Sequence, residues 1–336
     1  MKLEVRKETW PYSTPFRITN YVFTCAEVVL VTIEYDGMRG RGEASGVYYH
    51  GETPDSLLAQ IEEVRGCVEA GVERADLARL LPAGGARNAL DAALWDLEAK
   101  RAGVPVWMIA DAPRPRPLTT TFTVSAGSAF EMAEAARAYE GLPALKLKLT
   151  GDDPVGCIQA VRQARPDAWL GVDANQGLSR RDLERMLPAL VEARVRLIEQ
   201  PLPVGEDIQL EGLASPILIA ADESVQSRAD LPSLVGRYQV ANIKLDKSGG
   251  LTEGLAMAQE ARRLGLRVMV GCMSGTSLAM APAFVLGQLC DFVDLDGPTF
   301  LLSDREPAAT YADGQIWCPD ELWGAPAPPS RSEVQG

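Results

Sequence analysis

Eight short apolar runs with the composition of β-strands recur along the chain between residues 119 and 295. Their spacing is about 25 residues, and each interval has room for one helix. Eight strand-then-helix units of this size are typical of a (β/α)8 barrel of the α/β class. A doubly wound open sheet is the alternative, but no G-x-G-x-x-G motif follows any run. The runs are Thr119–Val124, Leu145–Leu149, Trp169–Val172, Val195–Ile198, Ile217–Ala220, Val240–Ile243, Arg267–Val270 and Phe292–Leu295.

The residues before these repeats have a different pattern. Glu27–Tyr35 is rich in β-branched residues and ends at an Asp-Gly turn, and Gly40–Ala44 would complete a hairpin. Helical patterns follow at Pro54–Ala70 and Ala86–Ala102, so we predict an α+β domain over residues 1–115. The proline-rich stretch Pro113–Pro117 suits a linker. We expect residues 116–309 to form the barrel and residues 310–336 to complete the first domain.

Composition excludes several classes of function. The 336 residues include 46 acidic and 33 basic side chains, and the resulting charge of −13 disfavours nucleic-acid binding. The single histidine, His50, excludes metal sites with two His ligands, and the six cysteines form no C-x-x-C pair. No apolar run is long enough for a membrane span, and the N-terminus lacks a signal-peptide core. We therefore expect a cytoplasmic protein whose acid–base chemistry relies on Lys, Glu, Asp or Tyr.

Carboxylates stand at the carboxyl ends of three consecutive predicted strands. Asp173 follows the third run, Glu199 the fourth and Asp222 the fifth. The carboxyl ends of barrel strands carry the active site, so these side chains would converge at the barrel mouth. Three negative charges repel one another unless a cation lies between them, and oxygen ligands without His or Cys suit Mg²⁺ or Mn²⁺. The alternative is that each carboxylate is solvated or caps the following helix.

Lysines occupy the ends of two other predicted strands. Lys146 and Lys148 are two residues apart, so on a strand they share one face and would enter the barrel mouth. Lys244 ends the sixth strand, about four strands away and therefore on roughly the opposite side of the ring. Two such lysines beside a divalent metal can remove a proton from a carbon next to a carboxylate and return one. Removal of the proton forms an enediolate, and the metal stabilises its negative charge. Lys146 would lower the pKa of Lys148 so that it can act as a base; the alternative for each lysine is a surface group.

The chain resembles the enolase superfamily, specifically its muconate-lactonizing-enzyme-like subgroup, over nearly its whole length. The resemblance implies a modified TIM barrel with an α+β N-terminal capping domain. It also implies that the three carboxylates bind Mg²⁺ and that Lys148 and Lys244 are the acid/base residues. One subgroup of the superfamily uses a histidine on the seventh strand as its base. That subgroup is excluded, because Val268–Cys272 contains no histidine. The matching segments are TPF (14–16), GRGEA (40–44), LPAGGARNALDAALWDLEAK (81–100), LKLKL (145–149), VDANQG (172–177), IEQPL (198–202), ADES (221–224), NIKLDKSGGL (242–251) and DLDGP (294–298).

Within this subgroup the chain looks most like the dipeptide epimerases, including the L-Ala-D/L-Glu epimerases. In that family an Asp-x-Asp after the eighth strand binds the free α-ammonium of the dipeptide, and here Asp294 and Asp296 form this element. The resemblance further implies that Thr123, Met273 and Ser274, with the adjoining Cys272, line the substrate site. It thus implies a Mg²⁺-dependent isomerase that inverts Cα of the C-terminal residue of a small-molecule dipeptide. It leaves the oligomeric state open, and a homo-oligomer is compatible with it.

The side-chain specificity departs from the pattern for glutamate. Family members that act on dipeptides ending in glutamate resemble one another in an Arg on the mobile loop after the TPF segment. Here that loop, Ile18–Thr24, has no Arg, and Arg17 is out of register; the second mobile loop, Val47–Glu52, carries aromatic residues. A glutamate side chain therefore lacks its guanidinium partner. We predict a more apolar or aromatic pocket, formed by Tyr21, Phe23, Tyr48 and Tyr49.

Two other functions stay open. N-acylamino-acid racemases and o-succinylbenzoate synthases of the same subgroup use the same site, but their substrates carry no free ammonium for Asp294 and Asp296 to bind. A non-catalytic barrel that binds a ligand is the remote alternative, because a fold alone does not establish chemistry.

Overall fold

The structure, a computed structural model, describes residues 1–18, 21–149 and 153–326. Its N-terminal part begins with an antiparallel sheet of three strands, β1 (Lys2–Ile18), β2 (Tyr21–Tyr35) and β3 (Met38–Ala44). Strands β2 and β3 form the predicted hairpin, which turns at Asp36-Gly37. Strand β1 is not predicted from the sequence, because its many polar residues and its two prolines hide the strand pattern.

Helices pack against this sheet. The predicted helix Pro54–Ala70 is interrupted at Val64, whose φ of −100° and ψ of 1° are not helical. Val29, Val31 and Ile33, at alternate positions of β2, are buried and share one apolar core with the first and fourth helices. This alternation is the pattern expected of a sheet with one covered face. The helices are α1 (Pro54–Glu63), α2 (Arg65–Glu69), α3 (Leu77–Leu80), α4 (Gly85–Ala102) and α5 (Val106–Ile109).

The second part contains the predicted barrel. Eight strands between residues 122 and 294 lie side by side in chain order, and each pairs in parallel with the next. The first predicted run, Thr119–Val124, is divided between two strands, Leu118–Thr119 and Phe122–Val124. The strands are β4 (Leu118–Thr119), β5 (Phe122–Val124), β6 (Ala144–Lys148), β7 (Trp169–Asp173), β8 (Val195–Glu199), β9 (Leu218–Ala221), β10 (Val240–Lys244), β11 (Arg267–Gly271), β12 (Phe292–Asp294), β13 (Thr310–Ala312) and β14 (Gln315–Trp317).

The first and last barrel strands meet through the segment before β5. Thr121 N donates to Val293 O at 3.1 Å, and Leu295 N donates to Thr120 Oγ1 at 2.9 Å. These bonds bring the end of β12 beside the start of β5, so all eight strand ends surround one mouth.

Helices fill most intervals between the barrel strands, as predicted. The interval between β8 and β9 is an exception, because it holds only a 3-10 segment, Asp207–Leu210. Three prolines and two glycines between residues 201 and 216 explain this, since proline cannot donate to the preceding turn and glycine disfavours a helix. The helices are α6 (Ala129–Ala138), α7 (Pro154–Ala164), α8 (Arg180–Glu192), α9 (Leu231–Leu234), α10 (Leu245–Ser248), α11 (Leu251–Arg263) and α12 (Ser277–Gly287).

The segment after residue 309 contacts both parts. Strands β13 and β14 form a hairpin that pairs with β4. Farther along, Trp323 Nε1 donates to the carbonyl oxygens of Arg41 and Ala92 in the N-terminal domain, both at 3.1 Å. The boundaries 1–115, 116–309 and 310–336 stay predictions, and residues 327–336 lie outside the described residues. Within the described ranges, every helix is too short or too polar to cross a membrane.

Candidate active site

A cavity lies between the carboxyl ends of the barrel strands and the N-terminal domain. Lysines and carboxylates line it from the barrel side, while Ser45, Tyr48 and Tyr49 line it from the N-terminal side. Active sites of (β/α)8 barrels lie at this end of the strands.

Three carboxylates meet at the barrel mouth. Asp173 ends β7, Glu199 ends β8, and Asp222 directly follows β9. Parallel pairing places Asp173 opposite Glu199, and Glu199 opposite Ala220, two residues before Asp222. One oxygen from each lies within 4.8 Å of the others, and all three residues are at most 1% exposed. Oxygen ligands at this spacing fit a metal ion.

The pKa values of the three carboxyl groups reflect their burial and the charges beside them. Burial, followed by the neighbouring Asp173, raises the pKa of Glu199 to about 8. Burial alone would also raise the pKa of Asp173, but Lys148 and Lys146 outweigh it and lower that pKa to about 2. Lys244 and Lys247 likewise outweigh burial and hold the pKa of Asp222 well below its usual range. The site therefore concentrates negative charge that cations must neutralise.

Lysines flank the three carboxylates. Lys148 Nζ, at the end of β6, lies 2.7 Å from Asp173 Oδ2, and Lys244 Nζ, at the end of β10, lies 2.6 Å from Asp222 Oδ2. Strands β7, β8 and β9 separate β6 from β10, so the two lysines approach the carboxylates from opposite sides. Both residues are 8% exposed, which is unusual for lysine and argues against the surface alternative.

Lys146 links the carboxylates to the last barrel strand. Its Nζ lies 2.8 Å from Glu199 Oε2, 3.2 Å from Asp173 Oδ2 and 2.8 Å from Asp294 Oδ2. Burial lowers the pKa of Lys146, but these carboxylates outweigh it and hold that pKa well above its usual range. Lys146 is therefore a fixed cation that shares Asp173 with Lys148. Its effect on the pKa of Lys148 stays a prediction.

The two aspartates after β12 have different surroundings. Asp294 is paired with Lys146 and also accepts from Thr121 Oγ1. Asp296 accepts from Thr123 N at 2.7 Å and, within the described ranges, has no cation within ion-pair distance. Burial, followed by Asp294, raises the pKa of Asp296 to about 7. Of the two aspartates, Asp296 is therefore the one without a positively charged partner among the described residues.

The remaining predicted substrate contacts also reach the cavity. Thr123, Cys272, Met273 and Ser274 line it, and Ser274 Oγ accepts from Tyr12 OH at 2.5 Å. The exposed His50 is absent from the described lining.

Aromatic residues cover the outer part of the cavity. Phe23 and Tyr48 line it, their rings meet edge to face at 5.4 Å, and Tyr21 stacks on Phe23. No arginine lines the cavity within the described ranges, and Arg17 is exposed on β1. The prediction of a loop at Ile18–Thr24 is wrong for its described residues, because Ile18 ends β1 and residues 21–24 begin β2, which pair with each other; residues 19–20 lie outside the described residues.

Two buried polar residues that contact the carboxylates are among those not predicted from the sequence. Asn242 Nδ2 donates to Glu199 Oε1 at 2.9 Å, and Lys247 Nζ donates to Asp222 Oδ1 at 2.6 Å and to Asn242 O at 3.1 Å. Both side chains are at most 2% exposed. Their signal is the density of polar residues in NIKLDKSGG, where the end of a buried strand would ordinarily be apolar.

Comparison with known proteins places both parts of the chain. Residues 1–109 match the family model described as "Mandelate racemase / muconate lactonizing enzyme, N-terminal domain". Residues 128–322 match the model described as "Enolase C-terminal domain-like". Together the two models cover most of the chain.

Three relatives show how close the similarity is. The chain is 42% identical over 316 residues to the L-Ala-D/L-Glu epimerase of Escherichia coli K12, covering 94% of this chain and 98% of that protein. It is 47% identical over 245 residues to an N-acetyl-D-glutamate racemase from Pseudoalteromonas, covering 73% and 78%. An enolase family member from Agrobacterium tumefaciens with homology to dipeptide epimerases, solved with sodium and L-Ala-L-Glu, has a TM-score of 0.93 and 42% identity, covering 96% and 99%.

A divalent cation held by the three carboxylates, tested with Mg²⁺, should raise the melting temperature of this protein. A cation that binds only the folded state stabilises it by mass action, by about 2.7 kcal/mol at a hundred times the dissociation constant. Glu199→Gln should remove most of this effect. Asp313→Asn is the control, since Asp313 is an exposed turn residue with a φ of 52°, which Asn tolerates. Thermal melts with and without Mg²⁺ measure the shift in melting temperature. Equal shifts for both variants would contradict a role of Glu199 in binding the cation.

Proposed function

Because the chain belongs to the mandelate racemase/muconate lactonizing enzyme family of the enolase superfamily, we propose that it is a Mg²⁺-dependent dipeptide epimerase. It inverts Cα of the C-terminal residue of the dipeptide. The observation that carries this proposal is the position of Lys148 and Lys244 on opposite sides of the three carboxylates. Inversion at carbon requires proton removal on one face and proton return on the other, and these lysines supply the two groups.

The proton moves between the substrate and the two lysines. The neutral amine of one lysine takes the proton from Cα, and the C–H electron pair delocalises into the substrate carboxylate. The ammonium of the other lysine then donates a proton to the opposite face of Cα. The roles exchange in the reverse direction, so Lys148 serves one stereoisomer and Lys244 the other.

Asp173, Glu199 and Asp222 are the residues that hold the metal ion. A bound Mg²⁺ supplies Lewis-acid stabilisation for the negative charge that develops on the substrate carboxylate. Mn²⁺ prefers similar oxygen ligands. Lys146, a buried cation beside Asp173 and Glu199, adds positive charge to the same region.

The α-ammonium of the dipeptide binds at Asp296, with Asp294 beside it. Asp296 supports this because it is 5% exposed and, in the part of the chain that the structure describes, makes no ion pair. A buried carboxyl that lacks a cation gains most from an ammonium ligand.

The C-terminal side chain of the dipeptide is apolar or aromatic. The rings of Phe16, Phe23 and Tyr48 support this preference, as does the lack of an arginine in the described cavity lining. A glutamate side chain would lose its hydration in this pocket without gaining a guanidinium partner.

An N-acylated amino acid is the second candidate substrate. The observation that favours it is the 47% identity to an N-acetyl-D-glutamate racemase. The buried Asp294 and Asp296 argue against it, because an N-acyl group carries no positive charge. The two candidates share the lysines and the metal site, so only the substrate separates them.

Exchange of the Cα hydrogen in D₂O tests the two lysines. With Mg²⁺, the wild-type protein should exchange this hydrogen in both stereoisomers of a dipeptide substrate. Lys148→Ala and Lys244→Ala should each reduce exchange by about 10²–10⁴-fold, but from opposite stereoisomers. Proton NMR of the separate isomers gives the rates, with Lys7→Ala as the surface control. Equal losses from both isomers in both variants would contradict two opposed bases.

Acetylation of the dipeptide tests the ammonium site. N-acetyl-L-Ala-L-Leu should be turned over at least about tenfold more slowly than L-Ala-L-Leu, because it lacks the charged donor for Asp296. Asp296→Asn should lower kcat/KM for the free dipeptide and reduce the difference in rate between the free and the acetylated dipeptide. Steady-state rates of the wild type and of Asp296→Asn with each of the two compounds measure both effects. Faster turnover of the acetylated compound would support the N-acylamino-acid alternative instead.

Variation of the second residue tests the pocket. L-Ala-L-Leu and L-Ala-L-Phe should have kcat/KM values at least about tenfold above that of L-Ala-L-Glu, because burial of an unpaired carboxylate costs more than about 1.4 kcal/mol. Tyr48→Arg should narrow the difference by adding a partner for the glutamate side chain. A wild-type preference for L-Ala-L-Glu would refute the apolar pocket while leaving the epimerase assignment in place.

A further inference from the structure

Asp246 is a buried carboxyl that joins the barrel to the N-terminal domain. It lies in α10, two residues after Lys244, and is 7% exposed. Its Oδ1 accepts from Ser45 N at 3.1 Å and from Gly46 N at 3.0 Å. Both donors belong to the N-terminal domain, about 200 residues earlier in the chain, so one carboxylate oxygen connects two distant segments.

The segment that Asp246 holds forms one wall of the cavity. We call residues 45–52 the capping loop. Ser45, Gly46, Tyr48 and Tyr49 of this loop line the same cavity as Lys244. The position of the capping loop therefore determines how the cavity is closed above that lysine.

The capping loop is also tied to itself and to α4. Glu52 Oε2 accepts from Val47 N at 2.7 Å and from Gly85 N at 3.2 Å. Gly46 has a φ of 79°, and a Cβ at this position would crowd the Glu52 side chain. The loop is thus a compact unit, and displacement of Ser45 and Gly46 would move it together with Tyr48.

Helix α10 is fixed from its other sides as well. Lys247 binds Asp222 and Asn242 within the barrel. Arg87 of α4 donates to Ser248 O at 2.5 Å and Gly249 O at 3.3 Å, and a Cβ on Gly249 would overlap the guanidinium. These contacts hold the end of α10 after Asp246. The hydrogen bonds that Asp246 accepts from Ser45 N and Gly46 N connect α10 to the capping loop.

We propose that Asp246 is a positioning residue that couples the capping loop to Lys244, so that the aromatic wall of the cavity and the lysine amine keep a fixed relation. The stereochemical part of this inference rests on the proposed function. The structural part, the hold of Asp246 on the capping loop, does not depend on which substrate the protein accepts.

Two substitutions separate the roles of Asp246. Asp246→Ala removes both acceptor contacts. Asp246→Asn keeps them, because both bonds use Oδ1 and an amide has one carbonyl oxygen in the same place. Burial raises the pKa of Asp246 to about 7, so a neutral replacement is also compatible with its surroundings. Asp304→Ala is the matched control, because Asp304 accepts from Ser277 N at 3.0 Å at the start of α12.

Amide hydrogen exchange measured by mass spectrometry tests the structural part on the substrate-free protein. In Asp246→Ala, peptides covering residues 45–52 and 244–250 should exchange faster by about tenfold or more, the effect expected for loss of two buried hydrogen bonds. Asp246→Asn should stay near wild type, and Asp304→Ala should affect residues 277–287 instead. Unchanged exchange at residues 45–52 in Asp246→Ala would overturn the proposal, as would equal acceleration in the Ala and Asn variants.

Isomer-resolved exchange of the substrate Cα hydrogen tests the coupling to Lys244. Lys244→Ala identifies the stereoisomer whose exchange depends on this lysine. Asp246→Ala should reduce exchange from that isomer about tenfold more than from the other, and Asp246→Asn should restore it. Equal losses from both isomers would overturn the coupling. If wild type exchanges no dipeptide at all, the proposed function fails, while amide exchange still decides whether Asp246 holds the capping loop.

Discussion

Buried charges of opposite sign neutralise one another at the barrel mouth. Six carboxyl groups and four lysines share this region: Asp173, Glu199, Asp222, Glu223, Asp294 and Asp296 with Lys146, Lys148, Lys244 and Lys247. A buried charge without a partner destabilises the folded state, so each group restricts where the others can lie. The carboxyl groups outnumber the lysines, so a bound cation would add to their neutralisation.

Parallel pairing converts this requirement into geometry. Lys148 lies opposite Asp173, and Asp173 lies opposite Glu199, so neighbouring strands present their charges at one height. On the other side, Lys244 lies opposite Gly271, where a Cβ would come within 3.1 Å of Lys244 Cε. Gly271 therefore leaves room for the lysine side chain to extend toward Asp222. The barrel positions these groups through backbone register, which is more rigid than a loop.

Much of the barrel and of its charges follows from the sequence, because both depend on local patterns. Apolar runs that end in Asp, Glu or Lys reveal the strand and its active-site end together, as at Asp173 and Lys244. Other features depend on contacts between distant segments. The ion pair between Lys146 and Asp294 requires the barrel to close, and the bonds of Asp246 require the N-terminal domain to dock. The polar strand β1 is stabilised by pairing with β2 rather than by its own pattern, so its composition gives no signal.

The cavity of this chain takes its charged residues mainly from the barrel and most of its aromatic residues from the N-terminal domain. The lysines proposed to transfer protons and the carboxylates proposed to bind the metal lie at the ends of barrel strands, where register holds them fixed. The residues proposed to contact the substrate side chain, such as Phe23 and Tyr48, lie on the N-terminal domain, where substitutions would alter the pocket without disturbing the buried charges of the barrel. Relatives that are 42% and 47% identical to this chain are an epimerase of L-Ala-D/L-Glu and a racemase of N-acetyl-D-glutamate. Both reactions require the same inversion at Cα, so these similarities support the proposed chemistry, while the cavity lining of this chain bears on its side-chain preference.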